Sequence, residues 1–492
     1  MSATRPNILL LVADQHRYDA VGCYGNPTII TPTLDAMAQE GTLFEACYVT
    51  NPVCSPSRAS FVTGLYPRNH GLWANGVELS PDAKMVSRVL ADAGYDCGMA
   101  GKQHLGPCAE GSETRRDDGY RVYKWSHDPI NRSEDNTYHR WLEQNYPEIY
   151  EREILNRPLE SGNTRNMAKG PTALDTVPVE AHYSHWIANE AIDFIKDDRR
   201  DADQPFYFAA NFFDPHHPFG APEEFRKLYD AAAMPDPIGS VEELLEKPST
   251  QRESSEKSYG GAAPGFVDYT KDELHEAKAS YYAMISMVDS EISRVLDVLQ
   301  ERGELENTLV IYTSDHGEML GDHAMMLKGP MLYDPAVRVP LIMKWPLGLK
   351  AGRRVPELVQ NIDITSTLLS VAEIPDALPS QGSDLIGLAN GESPIWRDWA
   401  LCEYRDSRHG SETPVHTTML RHGDYKLVIW HGPPATIRSR DGELYNLSTD
   451  PNELNNLFHS SDHRDTRELM KDILLDVLDA TEDRRAKRIG AW

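Results

Sequence analysis

Four short, largely apolar runs in this chain are each followed by charged or metal-ligating side chains, which restricts the possible folds strongly. The runs are Asn7–Ala13, Tyr95–Ala100, Phe206–Asn211 and Leu309–Thr313. Runs of this kind indicate strands that are buried on both faces, as in parallel sheets. The polar residues that follow them are Asp14, Lys102 with His104, His216, and Asp315 with His316.

Helical patterns alternate with these strands. Thr31 and Pro32 begin a helix that runs to about Glu40, because Thr is a good cap and Pro fits the first helical turn. Further helices are predicted over Ala83–Ala93 and Glu273–Gln300. The alternation predicts an α/β fold with a mostly parallel central sheet flanked by helices on both faces. Ligands of such sheets bind at the carboxyl ends of the strands, so we expect the polar residues to meet at one edge.

The pattern changes after about residue 375. Thr417–Arg421 and Tyr425–Trp430 predict a β-hairpin, and Asp465–Asp479 predicts a late helix. We therefore predict a large α/β domain over residues 1–375 and a smaller C-terminal α+β subdomain over residues 376–492. The subdomain would contain a small antiparallel sheet and one helix.

Composition excludes some partners. The net charge of -27 argues against a nucleic-acid partner, because phosphate backbones are bound by Lys and Arg surfaces. The apolar run from Ile8 to Ala13 is too short to cross a membrane, and no secretion-signal pattern surrounds it. We therefore expect a cytoplasmic protein without a membrane partner. A homo-oligomer, either a dimer or a tetramer, is also expected.

The six cysteines are sparse and form no CxxC pair, so neither a disulfide framework nor a structural zinc site is expected. Cys54 differs from the others because of the segment that it begins, CSPSRASFVTG. Ser55 and Pro56 are typical of a helix cap and a first helical residue, which would place Cys54 at a helix N-terminus. Backbone N–H groups there favour an anion. Arg58, about one turn later, could hold the nucleophile or an acidic neighbour.

The segment resembles the signature of the formylglycine-dependent (type I) sulfatases, C-x-P-S-R followed by Thr-Gly. Other parts of the chain resemble the same family. They are Asp14, Gly101-Lys102-Gln103-His104-Leu105-Gly106, Ser314-Asp315-His316-Gly317-Glu318, Lys328-Gly329-Pro330, Val339-Pro340-Leu341, Glu443-Leu444-Tyr445-Asn446-Leu447 and Asp450-Pro451. The resemblance therefore spans the chain, and it lies near the arylsulfatase and phosphonate monoester hydrolase branch. It implies the alkaline-phosphatase-like fold.

The resemblance also implies a chemistry. In that family a maturation enzyme oxidises the cysteine, here Cys54, to formylglycine, and the aldehyde hydrate attacks the sulfur of a sulfate monoester. The hydrate binds a divalent metal ion, which lowers the pKa of one hydroxyl. The implied function is arylsulfatase-like hydrolysis of small sulfate esters, with a possible side activity on phosphate or phosphonate esters.

The implied metal ligands are Asp14, Gln15, Cys54 in its modified form, Asp315 and His316. Many family members carry a second Asp in place of Gln15. Oxygen-rich sites suit calcium, whereas an imidazole ligand also admits manganese, and the sequence leaves both open.

Other polar residues take roles by the same resemblance. Lys102 and Lys328 would neutralise the sulfate oxygens, and Asn75 would donate a hydrogen bond to them. His216, Lys328 or both would protonate the leaving alcohol. His104 would help restore the aldehyde. The neighbouring His217 is interpreted as a structural residue.

Two other functions remain open from the sequence. A phosphonate monoester or phosphodiester hydrolase on the same scaffold would be compatible with Gln15 and with the pair Asp315–His316, although Lys102 and His104 favour a sulfatase. An unmodified, inactive binding protein is the second alternative. The unbroken set of charged residues at the strand ends argues against it. The particular sulfate ester, whether aryl, choline or sugar, does not follow from the sequence.

Overall fold

The protein is described by a computed structural model that covers residues 5–108, 111–156, 176–201, 203–261, 263–392, 395–405, 415–431 and 441–482. Within these residues, the strands are β1 (Asn7–Ala13), β2 (Thr42–Tyr48), β3 (Asp96–Gly101), β4 (Val122–Trp125), β5 (Phe206–Asn211), β6 (Lys257–Ser258), β7 (Ala263–Pro264), β8 (Thr308–Ser314), β9 (Arg338–Lys344), β10 (Arg353–Gln360), β11 (Trp399–Arg405), β12 (His416–His422), β13 (Tyr425–His431) and β14 (Asp441–Asn446).

The α-helices of the same residues range from single turns to the long α10. They are α1 (Pro32–Glu40), α2 (Cys54–Thr63), α3 (Pro67–His70), α4 (Val86–Asp92), α5 (Thr137–Asn145), α6 (Pro147–Tyr150), α7 (Tyr183–Lys196), α8 (Glu223–Arg226), α9 (Ser249–Glu256), α10 (Lys271–Glu301), α11 (Asp334–Val337), α12 (Ile362–Val371), α13 (Leu385–Ala389) and α14 (Arg464–Ala480). The helices α1, α4, α10 and α14 lie close to their predicted positions, although α4 begins three residues later than predicted.

The central sheet has the strand order β10-β2-β9-β8-β1-β5-β3-β4. Its pairs are parallel except for the two pairs that β9 makes with β2 and β8. The predicted α/β fold with a mostly parallel sheet is therefore confirmed. The four strands that the sequence predicted, β8, β1, β5 and β3, are consecutive and parallel, so their carboxyl ends lie at one edge.

Both faces of the central sheet are buried, as the uninterrupted apolar runs indicated. In β1, Ile8 and Leu10 pack into one hydrophobic core, while Leu9 and Leu11 pack into the core on the other face. The helices α7 and α10 cover the second face, where Trp186 is fully buried. This period-two alternation with apolar residues on both sides is typical of a strand between two helical layers.

The C-terminal part forms a second, antiparallel sheet of order β11-β12-β13-β14. The predicted hairpin corresponds to β12 and β13, which pair from His416↔His431 to His422↔Tyr425. The helix α14 packs on this sheet through Met470 and Leu474. A small antiparallel sheet with one helix is thus confirmed. The proposed boundary at residue 375, between α12 and α13, stays a prediction.

A buried group of charges, here called the joining cluster, connects the two sheets. It consists of Asp334 in α11, Lys426 in β13 and Glu453. The Nζ of Lys426 lies 2.7 Å from Asp334 Oδ1 and 2.6 Å from Glu453 Oε1. Glu453 also accepts a hydrogen bond from the backbone N–H of Asp334 at 2.7 Å. Because each charge contacts an opposite charge, the cluster fixes one sheet against the other.

All six cysteines, which lie within the described residues, are unpaired, so no disulfide links them. Among the helices that the structure describes, no helix is both long enough and apolar enough to span a bilayer.

Candidate active site

The polar residues predicted at the strand ends meet in one buried group. We call it the strand-end cluster; it contains Asp14, Cys54, Arg58, Lys102, Asp315, His316 and Lys328, all of which are buried. The ligand atoms of Asp14, Cys54, Asp315 and His316 lie within 4.8 Å of one another. The Sγ of Cys54 is 3.1 Å from His316 Nε2 and 3.8 Å from Asp14 Oδ1. Four residues from three separate parts of the chain therefore point at one position.

Arg58 holds the two carboxylates of the cluster in place. Its Nε donates to Asp315 Oδ2 at 2.7 Å, and its Nη2 donates to Asp14 Oδ2 at 3.2 Å. Its Nη1 donates to the backbone oxygen of Lys102 at 2.7 Å. The guanidinium thus reaches the ends of β1, β3 and β8 from a single position in α2, and its planar fork suits such a role.

The helix α2 begins at Cys54 itself, two residues earlier than the predicted first helical residue, Pro56. Val53 is extended and precedes the helix, and its N–H donates to Asn51 Oδ1 at 2.9 Å. The prediction that Ser55 caps the helix is wrong, since its buried hydroxyl has no hydrogen-bond partner. Pro56 is tolerated within the first turn because N–H groups there have no intrahelical acceptor. The conclusion that Cys54 lies at a helix N-terminus is confirmed.

Asn75 lies beside this helix start. Its Oδ1 accepts a hydrogen bond from the N–H of Ser55 at 3.1 Å. The side chain thereby uses one of the free N–H groups of the first turn. Asn75 is accordingly next to the nucleophile position, as its predicted role toward sulfate requires.

Lys102 follows β3 directly and turns into the cluster. Its Nζ is 2.6 Å from Asp14 Oδ2. The preceding residue, Gly101, has a φ of +97°, and a Cβ there would lie 2.0 Å from the backbone oxygen of Asn211. Only glycine permits this close approach of β3 to β5, and the approach directs Lys102 toward the sheet edge.

Lys328 and Gln15 form a second arm of the site. Lys328 Nζ donates to Gln15 Oε1 at 2.5 Å, while Gln15 Nε2 lies 3.1 Å from His217 Nδ1. The same amide nitrogen donates to the carboxylate of Glu318. The backbone N–H of Gln15 donates to Asp315 Oδ1 at 3.1 Å. Its oxygen keeps a second lone pair, so a metal-ligand role for Gln15 stays a prediction.

His217 and Glu318 were not singled out as site residues from the sequence. His217 stacks on His216 with ring centroids 4.0 Å apart, and both rings are near the strand-end cluster. Burial and then the positive charge of Lys328 hold the pKa of His217 well below its usual value. The sequence did contain an indication for Glu318, since this residue ends the segment Ser314–Glu318 that resembles the family. The position of His217 depends instead on the loop after β5.

His104 and His216 are close enough to the cluster for the charge of Lys102 to contribute to lowering the pKa of both rings. His104 has a left-handed backbone with φ of +59°, and its N–H donates to Glu113 Oε1 at 2.8 Å. Burial is the main cause that lowers the pKa of His104 and of His216 well below the usual value, so both rings are neutral. The Nδ1 of His216 lies 2.5 Å from the backbone oxygen of His217, which leaves Nε2 for other contacts.

Charge balance in the cluster favours anions. Burial alone would raise the pKa of Asp14, but the charges of Lys102 and Arg58 outweigh it and hold this pKa far below its usual value. Burial and Asp14 would likewise raise the pKa of the Cys54 thiol, yet Lys102 and Lys328 outweigh them and lower it. A positive pocket therefore exists in a chain whose net charge is -27.

The donor set also fits a divalent metal ion. Two carboxylates, an imidazole and the side chain of residue 54 converge, and Arg58 fixes the orientation of both carboxylates. Such a mixed oxygen and nitrogen set is suitable for manganese or another transition ion, and its carboxylates for calcium. The predicted ligands Asp14, Asp315 and His316 are brought together from their strand ends, and Cys54 joins them from the start of α2.

Fold and site together define a hydrolase of the alkaline-phosphatase-like class. Among solved structures, the chain is similar to the phosphonate monoester hydrolase of Agrobacterium radiobacter, with a TM-score of 0.81 and 25% identity over 98% of this chain and 97% of that one. A sequence profile of the sulfatase family matches residues 6–374, and one of the C-terminal region of N-sulphoglucosamine sulphohydrolase matches residues 321–480. The chain belongs to the sulfatase family.

Individual relatives agree with this assignment. An uncharacterized sulfatase of Escherichia coli (strain K12), YidJ, is 31% identical over 97% of this chain and 88% of its own length. An arylsulfatase of Clostridium perfringens is 29% identical over 97% of this chain and 95% of its own length. The protein is therefore an enzyme, a sulfuric ester hydrolase, and the alternative of an inactive binding protein is not supported.

Proposed function

We propose that this sulfatase acts through residue 54 after a maturation enzyme has converted Cys54 to formylglycine. One observation carries the proposal: the side chain of residue 54 leaves a helix N-terminus and points at Asp14, Asp315 and His316. An ordinary core cysteine would have apolar neighbours, whereas this one is surrounded by ionised groups. When bound, a divalent ion and the hydrated aldehyde would together supply an ionised oxygen nucleophile at neutral pH.

The residues proposed to hold the ion are Asp14, Asp315, His316 and residue 54, with Gln15 as a further ligand. Arg58 keeps the two carboxylates oriented through its hydrogen bonds to both of them. Calcium and manganese are the two candidate ions. Ligands fixed in this way remain in position without the ion, which reduces the reorganisation that metal binding requires.

Substrate binding is assigned to Lys102, Lys328 and Asn75. The ammonium group of Lys102 contacts Asp14 and that of Lys328 contacts the neighbouring Gln15, and each can donate to a non-bridging oxygen of a sulfate group. Asn75 would add an N–H donor from the start of α2. Donors that are fixed before the substrate arrives stabilise developing negative charge at little reorganisation cost.

Proton transfer is assigned to the histidines and to Lys328. His216 or Lys328 would give a proton to the departing alcohol, and His104 would accept one when residue 54 is restored. A lowered pKa keeps His104 neutral, which a base requires. For His216 the same shift means that the proton has to be taken up with the substrate, so Lys328 shares the assignment. The contact of Lys328 with Gln15, one of the proposed ligands, supports this assignment.

The same proposal includes the substrate, the protein partner, the cellular location and the oligomeric state. The proposed substrate is a small sulfate ester, and the proposed protein partner is the maturation enzyme. The protein is proposed to be a cytoplasmic homo-oligomer. A phosphonate monoesterase activity is the second candidate, because Gln15 beside Asp14 and the structural likeness to a phosphonate monoester hydrolase are compatible with it. The family match favours sulfate esters as the preferred class.

The deciding experiment combines mass and turnover. The chain is co-expressed with a formylglycine-generating enzyme, and the mass of the tryptic peptide with residue 54 is measured. We expect a peptide lighter by the difference between a thiol and an aldehyde, together with turnover of 4-nitrophenyl sulfate above that of a phenyl phosphonate ester. An unmodified thiol in fully active enzyme would refute the proposed nucleophile, and a preference for the phosphonate would favour the second candidate.

A further inference from the structure

A pocket outside the strand-end cluster lies between the segment after α2 and the C-terminal sheet. Its volume is about 290 Å³, close to that of small ligand sites. Its lining is contributed by both parts of the chain and consists of Pro67, Arg68, Trp73, Glu403, Arg405 and His416. None of these residues has a role in the reaction proposed above.

The pocket is adjacent to the proposed sulfate site on the side of Asn75. Trp73 precedes Asn75 by two residues, so their Cα atoms are at most about 7.6 Å apart. Asn75 in turn contacts the N–H of Ser55 at 3.1 Å. A sugar ring attached to a sulfate at residue 54 would therefore extend toward the segment that carries Trp73.

Hydrogen bonds of Asn51 connect Glu403, which lines the pocket, with the residue that precedes the nucleophile. Asn51 Nδ2 donates to the backbone oxygen of Glu403 at 2.5 Å, and Asn51 Oδ1 accepts from Val53, the residue before Cys54. On the opposite side, Thr417 follows His416 and its hydroxyl donates to the backbone oxygen of Pro330 at 3.1 Å. Pro330 lies two residues after Lys328. The pocket is thus flanked by segments that also carry Asn75 and Lys328.

The pocket has one more positive than negative charge among its Arg and Glu side chains. Arg68 Nη2 is 2.9 Å from Glu403 Oε1, and Arg405 Nη2 is 2.7 Å from the same oxygen. Two guanidinium groups therefore share one carboxylate. Both arginine side chains remain partly exposed, at 26% and 27%. An anionic group in the pocket would complete the charge balance and accept from Nη1 of Arg68. The Nη1 of Arg405 already donates to the backbone oxygens of Tyr404 and Thr417, so this guanidinium would act mainly through its charge.

The indole of Trp73 adds an apolar surface beside these charges. It is 44% exposed, which is high for so large an apolar side chain. The apolar face of a pyranose ring packs well on an indole, and an oxyanion on that ring would face the arginines. A simple aryl sulfate has neither an additional ring nor an additional charge for this pocket.

We infer that the pocket is a second subsite, and that the preferred substrate is a sulfated saccharide whose neighbouring ring carries a further oxyanion. The sulfate to be removed binds at the strand-end cluster, the next ring packs on Trp73, and its carboxylate or sulfate binds Arg68 beside the charge of Arg405. The inference rests on the proposed function for the position of the first sulfate. It narrows the substrate class from any small sulfate ester to an anionic saccharide.

A kinetic test uses three substrates with mature, metal-loaded enzyme. They are glucosamine 6-sulfate, the disaccharide in which a uronate is linked to this sugar, and the same disaccharide with a 2-O-sulfate on the uronate. We expect kcat/KM to rise at least about tenfold from the first to the second substrate, since a charge-assisted contact is added. A further rise with the third would identify sulfate, rather than carboxylate alone, as the preferred anion.

Variants then assign the effect to the pocket. Arg68→Gln and Trp73→Ala should each lower the ratio of disaccharide to monosaccharide kcat/KM about tenfold. Arg68→Lys should retain part of the ratio, because the charge remains. The matched control is Arg199→Gln, which removes an arginine that is 80% exposed and is paired with Asp197, and the ratio should not change. Equal ratios in Arg68→Gln and the unaltered enzyme would overturn the inference.

A binding test separates this inference from the proposed function. Calorimetry is carried out with the Cys54→Ser protein and the uronate-containing disaccharide, with and without Arg68→Gln. We expect Kd to rise at least about fivefold when Arg68 is replaced. If the mature enzyme hydrolysed no sulfate ester but this Kd still rose, the subsite would stand and the proposed reaction would fail. Turnover of aryl sulfate with no saccharide binding, or with an unchanged Kd, would overturn the subsite alone.

Discussion

The strand-end cluster and the joining cluster both bury several charges, but their charges are arranged differently. In the joining cluster, Lys426 lies between Asp334 and Glu453, so opposite charges contact one another. In the strand-end cluster, atoms that can each donate an electron pair to a metal ion converge on one point, and Cys54 Sγ lies among them. Burial and shifted pKa values occur in both clusters. Convergence of donors on a common position, rather than burial of charge, distinguishes the site that binds a ligand.

The largest expected effect separates chemistry from stability at Cys54. Cys54→Ala should reduce kcat/KM for 4-nitrophenyl sulfate at least about 10⁴-fold, because the nucleophile is lost. The midpoint of thermal unfolding should change by only a few degrees, since the small side chain is replaced by another one. Steady-state kinetics and calorimetry of the same preparations test both statements. Turnover close to that of the unaltered enzyme would exclude residue 54 as nucleophile.

The reverse result is expected for the joining cluster. Lys426→Met removes the cation that contacts both Asp334 and Glu453, and two buried carboxylates would then face each other. Asp334 would keep the longer contact of 3.4 Å with Arg338. We expect the free energy of unfolding to fall by about 3 to 5 kcal/mol. Urea unfolding measures this change, and kcat/KM per folded molecule should stay within about twofold.

The control for this variant is Lys227→Met. The side chain of Lys227 is 70% exposed and pairs with Glu223 on the surface. Its loss should change the free energy of unfolding by less than about 1 kcal/mol. If both variants were equally stable, burial would not explain the role of the joining cluster.

A smaller, purely kinetic effect is expected at Lys328. Lys328→Met should lower kcat/KM about 10²- to 10³-fold, because a fixed positive donor beside the sulfate is removed. Lys328→Arg should recover part of the loss if charge is the main contribution. The unfolding midpoint tests whether the effect is local, and a drop comparable to that of Lys426→Met would make Lys328 a structural residue instead.

The smallest effect concerns a buried carboxylate outside both clusters. Asp289 accepts hydrogen bonds from the N–H groups of Thr33 and Leu34 at the start of α1. Burial raises its pKa from 3.8 to about 6, so the folded state binds a proton more tightly than the unfolded state. The stability that this provides is complete below pH 3.8 and is lost as the pH rises through about 6.

The loss should amount to roughly 1 to 3 kcal/mol between these pH values. In Asp289→Asn one of the two acceptor oxygens remains and the ionisation is removed, so the protein should be less stable overall but this part of the pH dependence should disappear. Urea unfolding of both proteins at several pH values provides the measurement. The same slope in both proteins would show that other groups, such as those of the two clusters, cause it.

One physical rule predicted the members of the strand-end cluster that follow strands, and Cys54, Arg58 and Lys328 were assigned by the family resemblance instead. Strands β1, β3, β5 and β8 are uninterrupted and mostly apolar, and parallel strands bring the residues that follow them to the same edge. No comparable rule predicted β9, which contains Pro340. Proline is unfavourable in a central strand because it lacks an N–H group. Here the pairing of β2 with β9 shifts its register between Phe44 and Cys47, next to Pro340, and the irregularity accommodates it.

Other parts of the site depended on contacts that sequence patterns do not contain. His217 was interpreted as structural, yet its ring contacts the amide of Gln15, which is also bound by Lys328 and Glu318. These contacts depend on how the loop after β5 is positioned. The second subsite likewise combines residues near Arg68 with residues near Arg405. Pairs of segments so distant along the chain become neighbours only through tertiary packing.

The burial of α2 has a consequence for the order of events during biosynthesis. Cys54 is 2% exposed, and the helix that begins there is buried along almost its whole length. A catalyst the size of a protein would have to unwind α2 from the core to reach this thiol. The oxidation would thus have to precede the closing of the core around the chain. Each molecule would be committed to activity or inactivity while it is still being made, and folded molecules that missed this moment would remain inactive.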